Sequence, residues 1–268
     1  PAAIIPDISR RRIISAALVA VTFFSSMLIT NDVALITFVP FTIGIFGTEK
    51  QKRLIFIITM ETVAANLGSM LTPIGNPQNL YLYDKYNLSI AQFMGYVLPV
   101  GAVGAAIIAA VMIFRKDDII ESKSSSVQAI SSKAKLAVYL ILFAVCAASV
   151  LRFLDYRICL AVIVISIFIT DKKLFVKVDY ALLLTFVAFF IFVGNLRNIP
   201  AVNSAVNEFI TGREFVASVI ISQIISNVPA AVMLSGFTDN VRALIVGLNT
   251  GWLGTLVASL ASLISYKL

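Results

Sequence analysis

The sequence predicts an all-α polytopic membrane protein. It further predicts an inverted repeat, each half carrying a re-entrant helical hairpin and a discontinuous transmembrane helix. Three observations lead there: an apolar composition in long charge-free runs, polar and proline-rich interruptions inside those runs, and recurrence of the interruptions at one offset along the chain.

Of the 268 residues, 59% are hydrophobic and only 13% are charged, with a mean hydropathy of +0.96. Soluble domains carry about 25% charged residues. Charge-free runs occupy 13–31, 33–48, 62–83, 86–114, 136–151, 180–196, 215–238 and 243–266. A membrane span needs about 20 apolar residues, so the longer runs can cross and the shorter ones need tilt or re-entry. The runs are continuous and lack the alternation of a transmembrane barrel. Arg10, Arg11 and Arg12 precede an apolar run too long for a cleavable signal peptide.

The net charge of +7 does not point to nucleic acid. Basic residues gather in four segments, 1–12, 47–53, 115–135 and 171–179, which hold 14 of the 21 lysines and arginines. Cytoplasmic loops carry such an excess, so these segments are read as cytoplasmic.

That orientation gives each element its reading. Residues 13–46 start and end among cytoplasmic basic residues, with Thr30-Asn31-Asp32 between. The run is short for two crossings and a turn, so a re-entrant hairpin is expected, against the alternative of two tilted spans. Residues 54–83 form a helix broken at 72–79, where Thr72-Pro73-Ile74-Gly75-Asn76-Pro77-Gln78-Asn79 interrupts the apolar run. Backbone without helical hydrogen bonds survives at membrane depth only where protein or a water-filled cavity satisfies it. Asp84, Lys85 and Asn87 make an outer loop, and 89–114 returns as a span whose Gly101 and Gly104 permit close packing. The serine-rich 115–135 reads as a flexible cytoplasmic linker between a first repeat, 1–114, and a second, 136–268. Residues 136–151 and 158–170 form a helical pair, 180–196 cross outward, and 197–213 are a polar outer segment. The second hairpin is 214–238, with Ser226-Asn227 at its tip and Pro229 just after it, where proline suits a helix start. The second broken helix is 241–268.

Alignment of Asn66 with Asn249, an offset of 183, also pairs Gly68 with Gly251, Thr72 with Thr255, Gly75 with Ala258, Asn76 with Ser259 and Asn79 with Ser262. Inverted repeats with broken helices in corresponding positions mark a transporter's binding site.

The two tips, the first break and the run Gly254-Thr255-Leu256-Val257-Ala258-Ser259-Leu260-Ala261-Ser262-Leu263 together resemble the ion transporter superfamily. Its members include divalent-anion/sodium symporters, citrate transporters, arsenite permeases and a branch of sodium/proton antiporters. The resemblance covers nearly the whole chain. It implies a secondary active transporter working by alternating access on a small anion, a di- or tricarboxylate or an inorganic oxyanion. It also implies a homodimer in the cytoplasmic membrane, and sodium held near Asn31, Gly75, Asn227 and Ala258. Symporters carry Ser-Asn-Thr at both tips, whereas this chain has Asp32 and Val228 at the third positions and lacks a Pro-Pro-Asn second break. The Asn-Asp tip is similar to the arsenite-permease and proton-antiporter branches. Members also have further helices at both ends, so a truncated or short member is expected.

The expected site comprises Thr30, Asn31, Asp32, Thr72, Gly75, Asn76, Asn79, Ser226, Asn227, Thr255 and Ser259. Amides and hydroxyls both donate and accept, so they suit an oxyanion and a partly stripped cation alike. Taken singly, each also suits capping or interhelical packing. Asp32 and Glu61 are the acids expected within the membrane; such residues are expensive there and mark ion pathways. Asp32 is the expected carrier of the coupling ion, a sodium ion or a proton, and Glu61 a second candidate. No other cofactor is expected. The chain has no histidine, two cysteines (Cys146 and Cys159) in apolar runs, and no P-loop, dinucleotide fingerprint or nucleophilic triad. A sodium/proton antiporter of the same architecture is the alternative function; a channel or a membrane-embedded enzyme is a weaker one.

Overall fold

The computed structural model describes residues 8–46, 51–114, 133–178, 180–196, 198–253, 262 and 265–266. Among them the ordered elements are helices alone. Two helical stretches, Arg12–Ile29 and Ile90–Phe114, are each long and apolar enough to cross a membrane. Shorter apolar helices accompany them. The chain divides into two compact units, one drawn from 1–125 and 193–268, the other from 126–192.

The larger unit begins with α1 (Ile8–Ile29) and α2 (Asn31–Phe46), joined through Thr30 alone. Thr30 has φ 68°, the left-handed region. A β-branched residue is rare there, and the conformation costs on the order of 1–3 kcal/mol. One such residue ends α1 and redirects the chain. α3 (Gln51–Ser69) then packs on both earlier helices. Asn66 meets Asn31 near the tip, and Glu61 meets Thr42 further along α2, so α3 runs antiparallel to α2.

The break in the helix runs from Met70 to Asn76, two residues earlier at its start and three at its end than the expected 72–79. Its end follows from Pro77, which is the first residue of α4 (Pro77–Lys85). Proline has no N–H to lose at that position and its fixed φ begins a helix, so Gln78 and Asn79 are helical. α5 (Ile90–Phe114) returns beside α3. A Cβ on its Gly101 or Gly104 would press into the side chains of Leu71 and Leu67 respectively. The other side of α5 exposes Leu98, Val103, Ile107 and Phe114, as a lipid-facing helix does.

The polar stretch 197–213 contains a helix, α9 (Pro200–Ile210), again with proline in its first turn. α10 (Glu214–Ile225) and α11 (Asn227–Leu234) are joined through Ser226, φ 72°. α12 (Val241–Thr250) packs on both and continues into a 3₁₀ turn, Gly251–Leu253. Of the second broken helix expected at 241–268, residues 254–261, 263–264 and 267–268 lie outside the described residues.

Local geometry repeats between the two ends of this unit. A Cβ on Gly68 would strike the Phe23 carbonyl and Ser26 Oγ; one on Gly251 would strike Ser222 Oγ and lie 3.2 Å from the Val219 carbonyl. Phe23 and Val219, and Ser26 and Ser222, stand 196 residues apart, as do Thr30 and Ser226. Ser26 and Ser222 each donate 2.8 Å bonds to the carbonyl three residues back. Asn66 and Asn249 each donate 2.9 Å bonds to the carbonyl four residues back.

The smaller unit holds α6 (Lys133–Val150), α7 (Tyr156–Thr170), a 3₁₀ turn at Lys172–Lys177 and most of α8 (Tyr180–Leu196). Asp155 caps α7 by accepting from the Arg157 N–H at 2.8 Å, and Lys135 lies 3.6 Å from Asp171. The linker expected at 115–135 lies outside the described residues except for 133–135, which open α6.

Candidate functional site

The unwound turn at 70–76 frees backbone groups, which are taken up by the side chains of Thr72 and Asn79 and by the backbone N–H of Asn31. Thr72 Oγ1 donates to the Met27 carbonyl at the end of α1 (2.5 Å) and accepts from the Gly75 N–H (3.1 Å). The Gly75 carbonyl accepts from the Asn31 N–H at 3.2 Å, which fixes the first tip onto the break. A Cβ at Gly75 would run into the Ser69 backbone, so the turn closes only around glycine. Asn76 Nδ2 donates to Ser69 Oγ at 2.8 Å. Asn79 Nδ2 lies 3.3 Å from the carbonyls of both Ser69 and Thr72, capping the frayed end of α3.

Asn31, Asn66, Ser69, Asn76, Asn79 and Asn249 are all buried, so these bonds form away from water. Asn31 Nδ2 donates to Asn66 Oδ1 (3.0 Å), and Asn31 Oδ1 accepts from the Asp32 N–H (2.9 Å). Asn249 Nδ2 donates to Asn79 Oδ1 at 2.6 Å, joining α12 to α4 across 170 residues of sequence. Among the described residues, buried Asn249 Oδ1 has no hydrogen-bond partner, and neither has buried Asp32 Oδ1. Buried polar atoms are seldom left unpaired, so each of these calls for an explanation such as a bound ion or water.

Thr30, Asn31, Asp32, Thr72, Gly75, Asn76 and Asn79 are thus brought to one locus, where the tip of α1–α2 meets the break. Ser226 and Asn227 form the corresponding tip, and α11 packs on α4 and α12. Thr255, Ala258 and Ser259 lie outside the described residues. Glu61 stands apart from the first tip. It is fully buried and accepts from Thr42 Oγ1 at 2.7 Å, while its Oε2 has no partner among the described residues. Thr42 is about 16 Å along α2 from Asn31 at the helical rise. Three residues of the network were not among those expected at the site: Asn66, Ser69 and Asn249. The pairing of Asn66 with Asn249 at offset 183 was the signal that could have found two of them.

Asn249→Leu removes the link between α12 and α4 and leaves the fully buried Asn79 Oδ1 unpaired. Leaving a buried acceptor unsatisfied costs about 1–3 kcal/mol. The thermal midpoint of the detergent-purified protein should fall accordingly, whereas a fully retained midpoint would show that the contact carries no stability.

The family model described as Citrate transporter matches residues 3–261. The chain is 35% identical over 254 residues to "Uncharacterized transporter MJ0456" of Methanocaldococcus jannaschii, covering 94% of this chain and 70% of that protein. It is 30% identical over 269 residues to "Inner membrane protein YbiR" of Escherichia coli, covering 97% and 70%. A shorter match, 33% over 87 residues, links 32% of this chain to 18% of "Silicon efflux transporter LSI3" of Oryza sativa subsp. japonica. With apolar helices, a polar break and a family match over nearly its whole length, the chain belongs to the citrate transporter family, as a multi-pass membrane transporter and not an enzyme.

Proposed function

We propose that this protein is a secondary active transporter in the cytoplasmic membrane, moving a small anion by alternating access with sodium or protons as the coupling ion. The observation that supports the reading is the recurrence of a left-handed tip residue and of a close glycine contact: Thr30 with Ser226, Gly68 against Phe23 and Ser26 with Gly251 against Val219 and Ser222. Two copies of a hairpin and a following helix, entered from opposite sides, give a carrier two matched gates. In this reading the basic segments face the cytoplasm, the two tips are re-entrant, and the second break repeats the first through Thr255 and Ser259. The helix ends and amides at the break suit an oxyanion, such as a di- or tricarboxylate. The name of the rice relative adds silicon to the candidate solutes.

Coupling belongs to the first half. Asp32 Oδ1 is unpartnered among the described residues, and the Gly75 carbonyl accepts one bond from Asn31 with a second lone pair left over. Such oxygens suit a sodium ion, and the carboxylate alone suits a proton. The same acid supports the second reading, a sodium/proton antiporter that moves no anion. Proteoliposomes loaded against citrate, succinate, sulfate, arsenite and silicic acid, with and without imposed sodium and proton gradients, separate the readings. Gradient-driven uptake of at least one anion is the expected result. Sodium-driven proton movement with no anion flux would favour the antiporter, and no solute movement under any gradient would defeat both.

A further inference from the structure

We propose that Lys85 and the hollow beside it form an anion-binding vestibule at the end of the larger unit that the transporter reading assigns to the outside; the orientation, though not the site, rests on that reading. The hollow has a volume of about 610 Å³ and is lined by Lys85, Tyr86, Asn207, Ser235, Thr238 and Asp239 among others. It is built where the end of α4 meets the turn after α11, and the joint between them is firm. Tyr86 Oη donates towards the carbonyls of Thr238 (2.7 Å) and Ser235 (3.2 Å), and Tyr81 Oη lies 3.0 Å from Ser235 Oγ.

The lysine is fixed without being neutralised. Its Nζ donates to Ser235 Oγ at 2.9 Å and towards Tyr81 Oη at 3.4 Å, and sits 5.7 and 5.9 Å from the ring centres of Tyr81 and Tyr86. Ser235 is itself 5% exposed, so the ammonium is anchored to a buried hydroxyl. Hydroxyls and ring faces orient an ammonium but cancel none of its charge. An ammonium has three hydrogens, and two acceptors account for two. Lys85 makes no ion pair among the described residues. A fixed, unneutralised cation in a polar hollow attracts small anions and raises their local concentration. Asp239 shares the rim and opposes that field, so the vestibule favours an anion that presents a hydroxyl to Asp239 and a carboxylate to Lys85. A small hydroxycarboxylate has this chemistry; a neutral hydroxylated solute gains nothing from the lysine.

The test is competitive acetylation of the full chain in detergent with an amine-reactive ester, read by mass spectrometry. Lys52, an exposed lysine on α3, serves as the internal control. Citrate at about four times its dissociation constant should slow modification of Lys85 about fivefold, as four-fifths occupancy implies, and leave Lys52 unchanged; silicic acid should protect neither. Equal Lys85 rates with and without citrate, succinate or sulfate would overturn the proposal. A contact at the vestibule also differs from protection relayed from the central break. Asp239→Asn should lower the citrate concentration for half-protection, and an unchanged concentration would overturn the site as drawn. Flux measured in parallel keeps the two readings apart. Protection without flux leaves the vestibule standing and removes the transport reading, and flux without protection does the reverse.

Discussion

Gly68→Ala should fail to accumulate as folded protein, and Gly251→Ala should behave similarly. At Gly68 the new methyl meets the neighbouring helix at its backbone; at Gly251 it meets chiefly a side chain, with backbone close behind. At Gly68 the obstruction is the Phe23 carbonyl of α1 together with Ser26 Oγ; at Gly251 it is Ser222 Oγ and, at 3.2 Å, the Val219 carbonyl. A side-chain tip can rotate away, whereas a helical carbonyl moves only if the helix moves. Overpacking a tight site costs about 1–3 kcal/mol and occasionally more. A helix–helix contact that cannot relax belongs at the upper end, and Gly68→Ala should be the worse of the two. The control is Gly95→Ala in α5, where nothing lies within 4 Å of the added carbon. That change should be neutral or stabilise by up to about 1 kcal/mol, because alanine is the better helix former. Folded yield and thermal midpoint check all three. Wild-type behaviour of Gly68→Ala would mean that α1 and α3 do not approach as described.

Asp32→Asn should abolish ion-coupled flux while leaving the fold in place. The substitution keeps size and shape. The bond from the Asp32 N–H to Asn31 Oδ1 is a backbone bond and survives it. The charge lost lies in the first turn of α2, where an acid complements the helix dipole by about 0.3–1 kcal/mol. The thermal midpoint should therefore move by no more than about 2–4 °C. Flux driven by a sodium or proton gradient should drop to the level of empty vesicles, since an amide neither carries a proton nor balances a cation. Retained coupling in Asp32→Asn together with its loss in Glu61→Gln would move the carrier to the Thr42–Glu61 pair.

The break and both tips were legible because they violate their surroundings. Pro73, Pro77 and four polar side chains inside an apolar run have no place in a continuous helix, and Thr30-Asn31-Asp32 and Ser226-Asn227 stand out likewise. The start of the break was not legible. α3 ends at Ser69 because Asn76 and Asn79 fold back on Ser69 and Thr72 reaches Met27, contacts 7 to 45 residues apart in sequence. Asn66 and Ser69 looked like interior residues of a helix because their partners come from elsewhere. Thr42 gave no sign of holding Glu61, since nothing in the spacing of an apolar helix names the side chain opposite. Lys85 read as part of an exposed loop. Its bond to Ser235, 150 residues away, appears only where the turn after Leu234 meets the end of α4.

The residue between α1 and α2 also sets a length. Were Thr30 to take the right-handed conformation of its neighbours, Ile8–Phe46 would become one continuous helix. At roughly 1.5 Å per residue that rod would be about 58 Å long, nearly twice the hydrocarbon thickness of about 30 Å. Such a rod would either jut far into water or lie almost flat in the bilayer. The sign of one φ angle therefore decides whether this stretch matches the thickness of a bilayer, and the bonds that fix the next residue, Asn31, come from Gly75 and Asn66, residues synthesised after it.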